Sequence, residues 1–211
     1  MIPAFYPLLD PSCGLPATSA AEAILEAGAR ILQFRHKGFF SRDVFVEAER
    51  IAALCRDAGA LFVINDRADI AMLLDAALHL GQDDLPPADA RRIMPPHRII
   101  GFSTHNAGQL GAADREPVDY LAIGPIFATS SKQNPDPVVG LDRLRTLRAL
   151  TQKPLVAIGG ITRHTARSVL EAGADSVAII GDLYPQRTKA SLRARAEEWL
   201  AICSSRRSPQ P

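Results

Sequence analysis

Eight short apolar runs recur along the chain at a regular spacing, and this repetition constrains the fold more than any other feature. Each run is too short and too uniformly apolar for a surface helix, whereas a strand that is covered on both faces needs this composition. The runs occupy residues 5–10, 30–35, 60–66, 77–82, 98–104, 120–126, 154–160 and 176–182. We therefore predict eight buried strands.

Amphipathic stretches with helix boundary signals lie between these runs. The stretch TSAAEAILEAG opens on Thr and Ser as candidate caps and ends at Gly28. A second stretch has Ser41 as its N-cap and ends at Gly59, and a third has Thr162 as its cap and ends at Gly173. Hydroxyl residues are preferred at helix N-caps, and glycine commonly follows a helix end. Strands and helices therefore alternate along the chain.

Eight strand–helix units in 211 residues fit one compact (β/α)8 TIM barrel, near the lower end of that fold's size range. No linker or shift in composition divides the chain, so we expect a single α/β domain over residues 1–203. The segment 204–211 has the composition of a disordered tail. A doubly wound open sheet is the alternative, and the count of eight favours the barrel.

The overall composition argues against several classes of protein. Hydrophobic residues make up 47% and charged residues 22% of the chain, as in a globular protein with a substantial core. The formal net charge of +1 argues against a general binder of nucleic acids or membrane surfaces, so any anion site is local. No apolar run approaches 18 residues, and the N-terminus lacks the pattern of a signal peptide.

The three cysteines are scattered along the chain at Cys13, Cys55 and Cys203, and they form no CxxC pair. This spacing indicates neither a disulfide framework nor a zinc site. We expect a cytoplasmic protein with reduced thiols.

Polar residues gather where the second predicted strand ends, in the segment Gln33-Phe34-Arg35-His36-Lys37. In barrels of this type the chemistry lies at the C-terminal ends of the strands. Strand alternation places Gln33, Arg35 and Lys37 on one side, and Phe34 and His36 on the other. A single residue of this kind is usually only solvated, but three hydrogen-bonding residues on one side favour an anion site.

Acidic residues follow the next two predicted strands. Strand three ends at Asn65-Asp66, and strand four ends at Gln82-Asp83-Asp84. Asp66 and Asp84 then lie at the tops of neighbouring strands, where two carboxylates can hold Mg²⁺ and share it with phosphates. Taken singly, such residues more often serve turns and helix caps, and Asp83 or Asp84 is a candidate cap of the next helix.

The loops after strands six to eight indicate phosphate binding. The segment GPIFATSSKQNPDPVVGLD is long for a βα connection, and its hydroxyls and Lys132 suit phosphate oxygens, although a surface loop of turn formers is the alternative. Gly159-Gly160 ends strand seven, and strand eight ends near Gly181. Backbone N–H groups in these two loops form the usual phosphate site of this fold.

The histidines are less informative. His79 lies within strand four and is typical of a satisfied core residue, whereas His105 follows strand five and is a candidate neighbour of the site. No histidine pair has metal-ligand spacing, and no Ser/His/Asp arrangement occurs.

The residues by themselves predict two anion-binding regions. The first combines basic side chains with a metal site, and its members are Arg35, Lys37, Lys132, Asp66 and Asp84. The second consists of backbone around Gly160 and Ile180–Gly181. A diphosphate that needs Mg²⁺ and a monophosphate fit this pair of regions. A transfer that expels diphosphate uses both, because Mg²⁺ and lysines stabilise the charge of the leaving group.

Seven segments, taken in order, resemble the thiamine-phosphate synthase family: LQFRHK, VINDR, LHLGQDD, GFSTH, AIGPIFATSSK, AIGGIT and AGADSVAII. The resemblance covers residues 30–183. It implies an enzyme that joins 4-amino-2-methyl-5-hydroxymethylpyrimidine diphosphate to 4-methyl-5-(2-phosphoethyl)thiazole, giving thiamine phosphate and diphosphate. It also implies a dissociative mechanism, in which diphosphate leaves first and the thiazole nitrogen captures a pyrimidine carbocation.

The resemblance further implies a role for each matching residue. The residues that bind diphosphate are Gln33, Arg35, Lys37, Asn65 and Lys132, and the magnesium ligands are Asp66 and Asp84. Ser103 matches a serine near the pyrimidine and the diphosphate. The residues that bind the thiazole phosphate are Thr129, Ser131, Gly160, Ile180 and Gly181. Those expected to assist catalysis directly are Lys132, Ser103 and Arg35.

The chain departs from the family pattern at two informative positions. His36 stands where the family usually has Glu, and Gly181 stands where a serine is common, which leaves its backbone N–H as the donor. The thiazole tautomerases, which need no Mg²⁺, are an alternative family, and a non-catalytic phosphate-binding barrel is a third. The full set of metal and diphosphate residues favours the synthase, as does Pro125, where some tautomerases have a catalytic histidine. The family also implies small-molecule substrates and a homodimer.

Overall fold

A closed barrel of eight parallel strands, arranged in chain order, forms the centre of the computed structural model, which describes residues 1–11, 14–129, 136–184 and 186–204. The strands are β1 (Phe5–Leu9), β2 (Ile31–Phe34), β3 (Leu61–Asn65), β4 (Ala77–Leu80), β5 (Ile100–Thr104), β6 (Tyr120–Ile123), β7 (Leu155–Ile158) and β8 (Ser176–Ile179). The helices are α1 (Ala17–Glu26), α2 (Arg42–Asp57), α3 (Ala68–Leu73), α4 (Pro87–Ile93), α5 (Ala107–Ala113), α6 (Gly140–Arg148), α7 (Ala166–Glu171) and α8 (Lys189–Ser204). The predicted (β/α)8 barrel is confirmed, with one strand inside each predicted apolar run.

Both faces of the strands are buried, which explains their continuous apolar composition. One face packs against the surrounding helices in a single large core. The other face fills the barrel interior with a smaller cluster, whose members are Ile2, Tyr6, Leu8, Ile31, Val63, Ala77, Tyr120, Ala122, Val156 and Ala178. The barrel is therefore packed with side chains, and a site can form only where the strands end.

One of the predicted helix caps is observed. The Ser41 hydroxyl accepts the backbone N–H of Val44 at 3.4 Å, at the start of α2. This helix ends before Gly59, whose φ of 62° suits a residue without a Cβ.

Three other predicted caps are wrong. Pro16 occupies the N-cap position of α1, and Pro86 occupies that of α4, so neither helix has a side-chain cap. Asp84 accepts instead from the Gly81 backbone N–H. Thr165 precedes α7, and its hydroxyl accepts the N–H of Thr162, in a turn that precedes the helix. Proline, whose φ is preset for a turn or a helix start, replaces the hydroxyl cap in the first two cases.

The chain termini and thiols complete the fold. Helix α8 extends to Ser204, and the rest of the predicted tail lies outside the described residues, as does Cys13. Cys55 and Cys203 are buried free thiols. Within the ranges described above, no helix combines the length and the apolar character that crossing a membrane requires.

Candidate active site

One cavity of about 590 Å³ opens where the C-terminal ends of the strands meet. Most of the site residues predicted from the sequence line it, and they come from the ends of seven strands. They are Gln33, Arg35, Lys37, Asn65, Asp66, Asp84, Ser103, Thr129, Gly160, Ile180 and Gly181. Ser131 and Lys132 lie outside the described residues. The structure thus brings eleven of the thirteen residues together, while their individual roles stay predictions.

The segment 33–37, at the C-terminal end of β2, presents its polar side chains to the cavity and its aromatic side chains away from it. The three alternating polar residues of this segment line the cavity. His36 packs instead against Phe34 and Phe40, with ring centroids 6.2 Å and 5.8 Å away. The predicted alternation is therefore observed. These aromatic contacts give His36 a packing role at the position where the family usually has Glu.

Arg35 is held by an acidic residue that the sequence reasoning did not select. Its Nη1 donates to the carboxylate of Asp10, which directly follows β1 and is 9% exposed. The backbone N–H of Arg35 also donates to the Leu9 carbonyl at 2.9 Å, so the two strand ends are tied together. A guanidinium has five N–H donors in a fixed fork, so one can stay on Asp10 while others bind an anion.

Two carboxylates lie close together at the ends of β3 and β4. Asp66 adopts a left-handed backbone conformation with φ of 66°, and the Lys37 ammonium donates to its Oδ2 at 2.6 Å. Burial, reinforced by the adjacent Asp84 carboxyl and opposed by Lys37, raises the pKa of Asp66 to about 6. This corner therefore holds two acids whose repulsion a single lysine offsets only in part.

The same corner fits a magnesium ion. Its donors are carboxylate oxygens, which Mg²⁺ prefers, and a cation would relieve the repulsion between Asp66 and Asp84. Among the residues that the structure describes, no group of three or more acidic, histidine or cysteine side chains could hold a metal. Water and substrate phosphates would therefore have to complete the coordination shell, as is usual for Mg²⁺.

Asn65 supplies a buried donor without a partner. Its side chain is 7% exposed and lines the cavity, and its Nδ2 has no hydrogen-bond acceptor in the described part of the chain. Buried N–H groups are nearly always paired in folded proteins. The amide therefore indicates an acceptor that a ligand brings, and an anionic oxygen next to Lys37 fits this position.

A chain of hydrogen bonds crosses the barrel interior and ends at the cavity. Gln33 Nε2 donates to the Tyr6 hydroxyl at 2.8 Å, and the hydroxyls of Tyr6 and Tyr120 lie 2.9 Å apart. The His79 ring connects Tyr120 to Ser103, with Nδ1 2.8 Å from the phenol oxygen and Nε2 2.9 Å from the serine Oγ. His79 is a satisfied core residue, as predicted, and it also lines the cavity. The sequence reasoning missed both tyrosines, although their inward positions on β1 and β6 were a usable signal.

His105 lies at the end of β5 and lines the cavity, in agreement with its expected position. Its Nδ1–H donates to the Gly124 carbonyl at 2.7 Å, and the Asp136 carboxylate lies 3.5 Å from the same nitrogen. His105 therefore ties the end of β5 to the segment that follows β6.

The glycines after β7 and β8 differ in their surroundings, since one is closely packed and the other faces open space. Gly159 has φ of 97°, and a Cβ there would lie 2.6 Å from Pro125 Cβ, so the backbone after β7 packs directly against the loop after β6. Gly181 has open space around it, because nothing lies within 4 Å of an added Cβ. Within the described ranges, the backbone N–H groups of Gly160 and Gly181 have no acceptor, which leaves them for a ligand.

Asp182 follows Gly181 in a short 3₁₀-helix and connects both of these loops to α8. Its Oδ2 accepts the Trp199 indole N–H at 3.0 Å, and it lies 3.4 Å from Arg163 Nε and from Arg195 Nη1. Arg163 belongs to the loop after β7, whereas the other two partners belong to α8. The sequence reasoning did not select Asp182, because its partners are distant in the chain.

Comparisons with known proteins agree with this geometry. The family model described as thiamine monophosphate synthase matches residues 6–183. A thiamine-phosphate synthase from Koribacter versatilis is 47% identical and covers 97% of each chain. A thiamine-phosphate synthase from Laribacter hongkongensis is 43% identical over 83% of this chain and 84% of its own length.

A solved structure agrees as well. The thiamine phosphate pyrophosphorylase from Pyrococcus furiosus superposes with a TM-score of 0.85 at 32% identity, and the match covers 95% of each chain. Since the family model spans most of the chain and a relative at 47% identity covers 97% of it, the chain belongs to the thiamine monophosphate synthase family.

Proposed function

We propose that this chain has the thiamine-phosphate synthase activity for which its relatives are named, joining the hydroxymethylpyrimidine diphosphate to the thiazole monophosphate with release of diphosphate. The observation that carries this proposal is the paired carboxylates of Asp66 and Asp84 beside the unpartnered amide of Asn65. A diphosphate that binds with a divalent cation uses both kinds of group, whereas a lone phosphate does not require the paired carboxylates.

The diphosphate and its cation occupy the corner between β2 and β4 in this proposal. Asp66 and Asp84 hold Mg²⁺, which when bound stabilises the charge that develops on the departing diphosphate. Lys37, Arg35 and Asn65 donate to the phosphate oxygens. Lys37 donates to Asp66 in the described structure, and at 52% exposure its side chain can move to the substrate. The resemblance adds Lys132 to this group.

The thiazole phosphate occupies the opposite side of the cavity. The free backbone N–H groups of Gly160 and Gly181 are suited to its oxygens, and Thr129 lines the same wall. Because Gly181 has no side chain, its surrounding space is open to a phosphate group. Ser131 is added to this set by the resemblance.

The transfer is dissociative in this proposal. The C–O bond to the diphosphate breaks first, and the thiazole nitrogen donates its lone pair to the resulting pyrimidine carbocation. No side chain has to act as a nucleophile, so the chain contributes positioning of two substrates and stabilisation of the leaving group's charge. Both tasks fit a packed barrel with polar side chains at its strand ends.

The decisive experiment mixes the purified protein with both substrates and Mg²⁺ and follows thiamine phosphate. We expect product only when both substrates and the cation are present. Interconversion of thiazole phosphate tautomers without Mg²⁺, together with no thiamine phosphate, would overturn the synthase proposal in favour of a tautomerase.

The metal ligands are tested with Asp66→Asn. Turnover should fall on the order of 100-fold, because the leaving group's charge loses its stabilisation. Asp142→Asn is the control, since Asp142 is a fully exposed acid on α6 with an Arg145 partner. Calorimetric titration of Mg²⁺ with inorganic diphosphate supplies a readout independent of turnover. Unchanged binding and turnover in Asp66→Asn would exclude Asp66 as a required ligand.

We also infer a homodimer from the family resemblance. Light scattering coupled to size-exclusion chromatography measures the mass of the particle directly. A mass twice that of the 22.8 kDa chain supports the inference, and a monomer mass at all concentrations contradicts it.

A further inference from the structure

The chain of hydrogen bonds from Gln33 to Ser103 has a direction that the buried groups determine together. Burial raises the pKa values of Tyr6 and Tyr120, so each phenol keeps its single proton at neutral pH. The His79 ring lies between two hydroxyl oxygens, so a ring nitrogen that accepts from one hydroxyl leaves the other nitrogen to carry the ring's N–H. Each of these three residues has a single polar hydrogen to donate and can also accept a hydrogen bond.

The first donor in this chain of hydrogen bonds is the side-chain amide of Gln33. Gln33 Nε2 can only donate, so the Tyr6 oxygen is its acceptor. Tyr6 is 1% exposed, and the Tyr120 oxygen is the remaining partner among the residues described. If Tyr120 donated to Tyr6 instead, the Tyr6 proton would be buried without an acceptor, which folded proteins avoid. Tyr6 therefore donates to Tyr120.

The same reasoning continues to the cavity. Tyr120 accepts the hydrogen bond that Tyr6 donates, so its own O–H donates to His79 Nδ1, which lies 2.8 Å away. The ring then carries its hydrogen on Nε2, which donates to Ser103 Oγ at 2.9 Å. The Ser103 hydroxyl is thus an acceptor toward the protein, and its own proton has no acceptor in the described ranges.

We propose that this relay, the chain of hydrogen bonds from Gln33 to Ser103, holds Ser103 as a hydrogen-bond donor to the substrate. Tyr120 and His79 are the positioning residues, because they prevent the Ser103 hydroxyl from donating toward the barrel interior. The recipient is a hydrogen-bond acceptor of the pyrimidine diphosphate, either an anionic phosphate oxygen or a ring nitrogen. The direction of the relay rests on the buried contacts and on the orientation of the Gln33 amide, whereas its use on this substrate rests on the proposed function.

The position of the His79 proton is measured by nitrogen NMR of histidine-labelled protein, since the two ring nitrogens have different shifts when protonated. The expected result is a hydrogen on Nε2 and an unprotonated Nδ1. A hydrogen on Nδ1 would overturn the proposal. Each hydrogen bond of the relay would then have the opposite direction, and the Gln33 amide would be flipped so that its oxygen accepts from Tyr6. The measurement needs no turnover, so it stands even if the protein forms no thiamine phosphate.

Two matched variants separate positioning from packing. Tyr120→Phe and Tyr6→Phe each remove one buried hydroxyl from neighbouring rings. Tyr120→Phe removes the donor to Nδ1, so both His79 tautomers should become populated. Tyr6→Phe leaves Tyr120 with His79 as its acceptor, so the hydrogen should stay on Nε2. An unchanged tautomer in Tyr120→Phe, or equal changes in both variants, would contradict the assigned direction.

The use of the Ser103 proton is tested by binding. Ser103→Ala is titrated with Mg²⁺ and inorganic diphosphate, and separately with the hydroxymethylpyrimidine alcohol, which carries no phosphate. We expect the affinity for one of these probes to fall about tenfold, as for one lost bond to a polar ligand, and the probe affected identifies the recipient. Unchanged affinity for both probes would refute the role of Ser103 as a donor.

Discussion

Removing the carboxylate of Asp182 should destabilise the fold through one specific buried group. In Asp182→Ala the indole N–H of Trp199 loses its acceptor, and Trp199 is fully buried, so water cannot replace it. An unpaired buried donor costs about 1–3 kcal/mol. The side chain of Asp182 also lies 3.4 Å from Arg163 and Arg195 and is 17% exposed, which adds a smaller ionic contribution. We expect a total loss of about 3 kcal/mol.

Asp182→Asn separates the two contributions. The amide oxygen can still accept from Trp199, so only the ionic part is lost, and the expected cost is about 1 kcal/mol. Equilibrium unfolding in urea measures both variants, and Trp199, the only tryptophan, reports the transition by its own fluorescence. Asp142→Ala on the exposed face of α6 is the control, with no measurable change expected.

The outcome that would refute this reasoning is equal stability of Asp182→Ala and Asp182→Asn, because the buried indole would then contribute nothing. Since Asp182 ties the loops after β7 and β8 to α8, we also expect Asp182→Asn to raise the KM for thiazole phosphate more than the KM for the pyrimidine diphosphate. Equal effects on the two KM values would indicate a purely structural contact.

Gly101→Ala should destabilise by about 2 kcal/mol or more in urea unfolding, because the new methyl group would overlap the ring of Tyr120. Gly111→Ala is the matched control, because Gly111 faces open space in α5, and its free energy of unfolding should rise by about 0.5–1 kcal/mol. Equal effects of the two variants would contradict the close packing of Gly101 against Tyr120. Burial raises the pKa of the Cys55 thiol to about 12, so iodoacetamide at pH 8 should modify this thiol only after unfolding. Peptide mapping measures the modification, and a modified Cys55 in the native protein would contradict its burial. His79 has a folded pKa of about 4, below its unfolded value of about 6.5, so as the pH falls through this window stability should fall by up to about 3 kcal/mol. His79→Gln should reduce that pH dependence, and an unchanged slope would exclude a buried neutral histidine.

The sequence by itself was sufficient to predict the barrel and eleven of the residues that line its cavity. Eight apolar runs of strand length, each followed by an amphipathic stretch, are local patterns, and the eight strands occur within them. The alternation after β2 is also local, and it correctly separated the cavity-lining residues from His36, which stacks on Phe34. Since the C-terminal ends of parallel strands share one end of a barrel, polar residues at those ends had to meet.

The tertiary structure decided which of these residues touch. Asp10 holds Arg35 because the parallel pairing of β1 with β2 places the ends of these two strands side by side. The Tyr6 and Tyr120 hydroxyls meet across the barrel interior although 114 positions separate them in the chain. Such contacts depend on the tilt and register of all eight strands, which no single segment of the sequence encodes. Most of the groups that line the cavity were therefore predictable from the sequence, whereas the contacts among them follow only from the closed barrel.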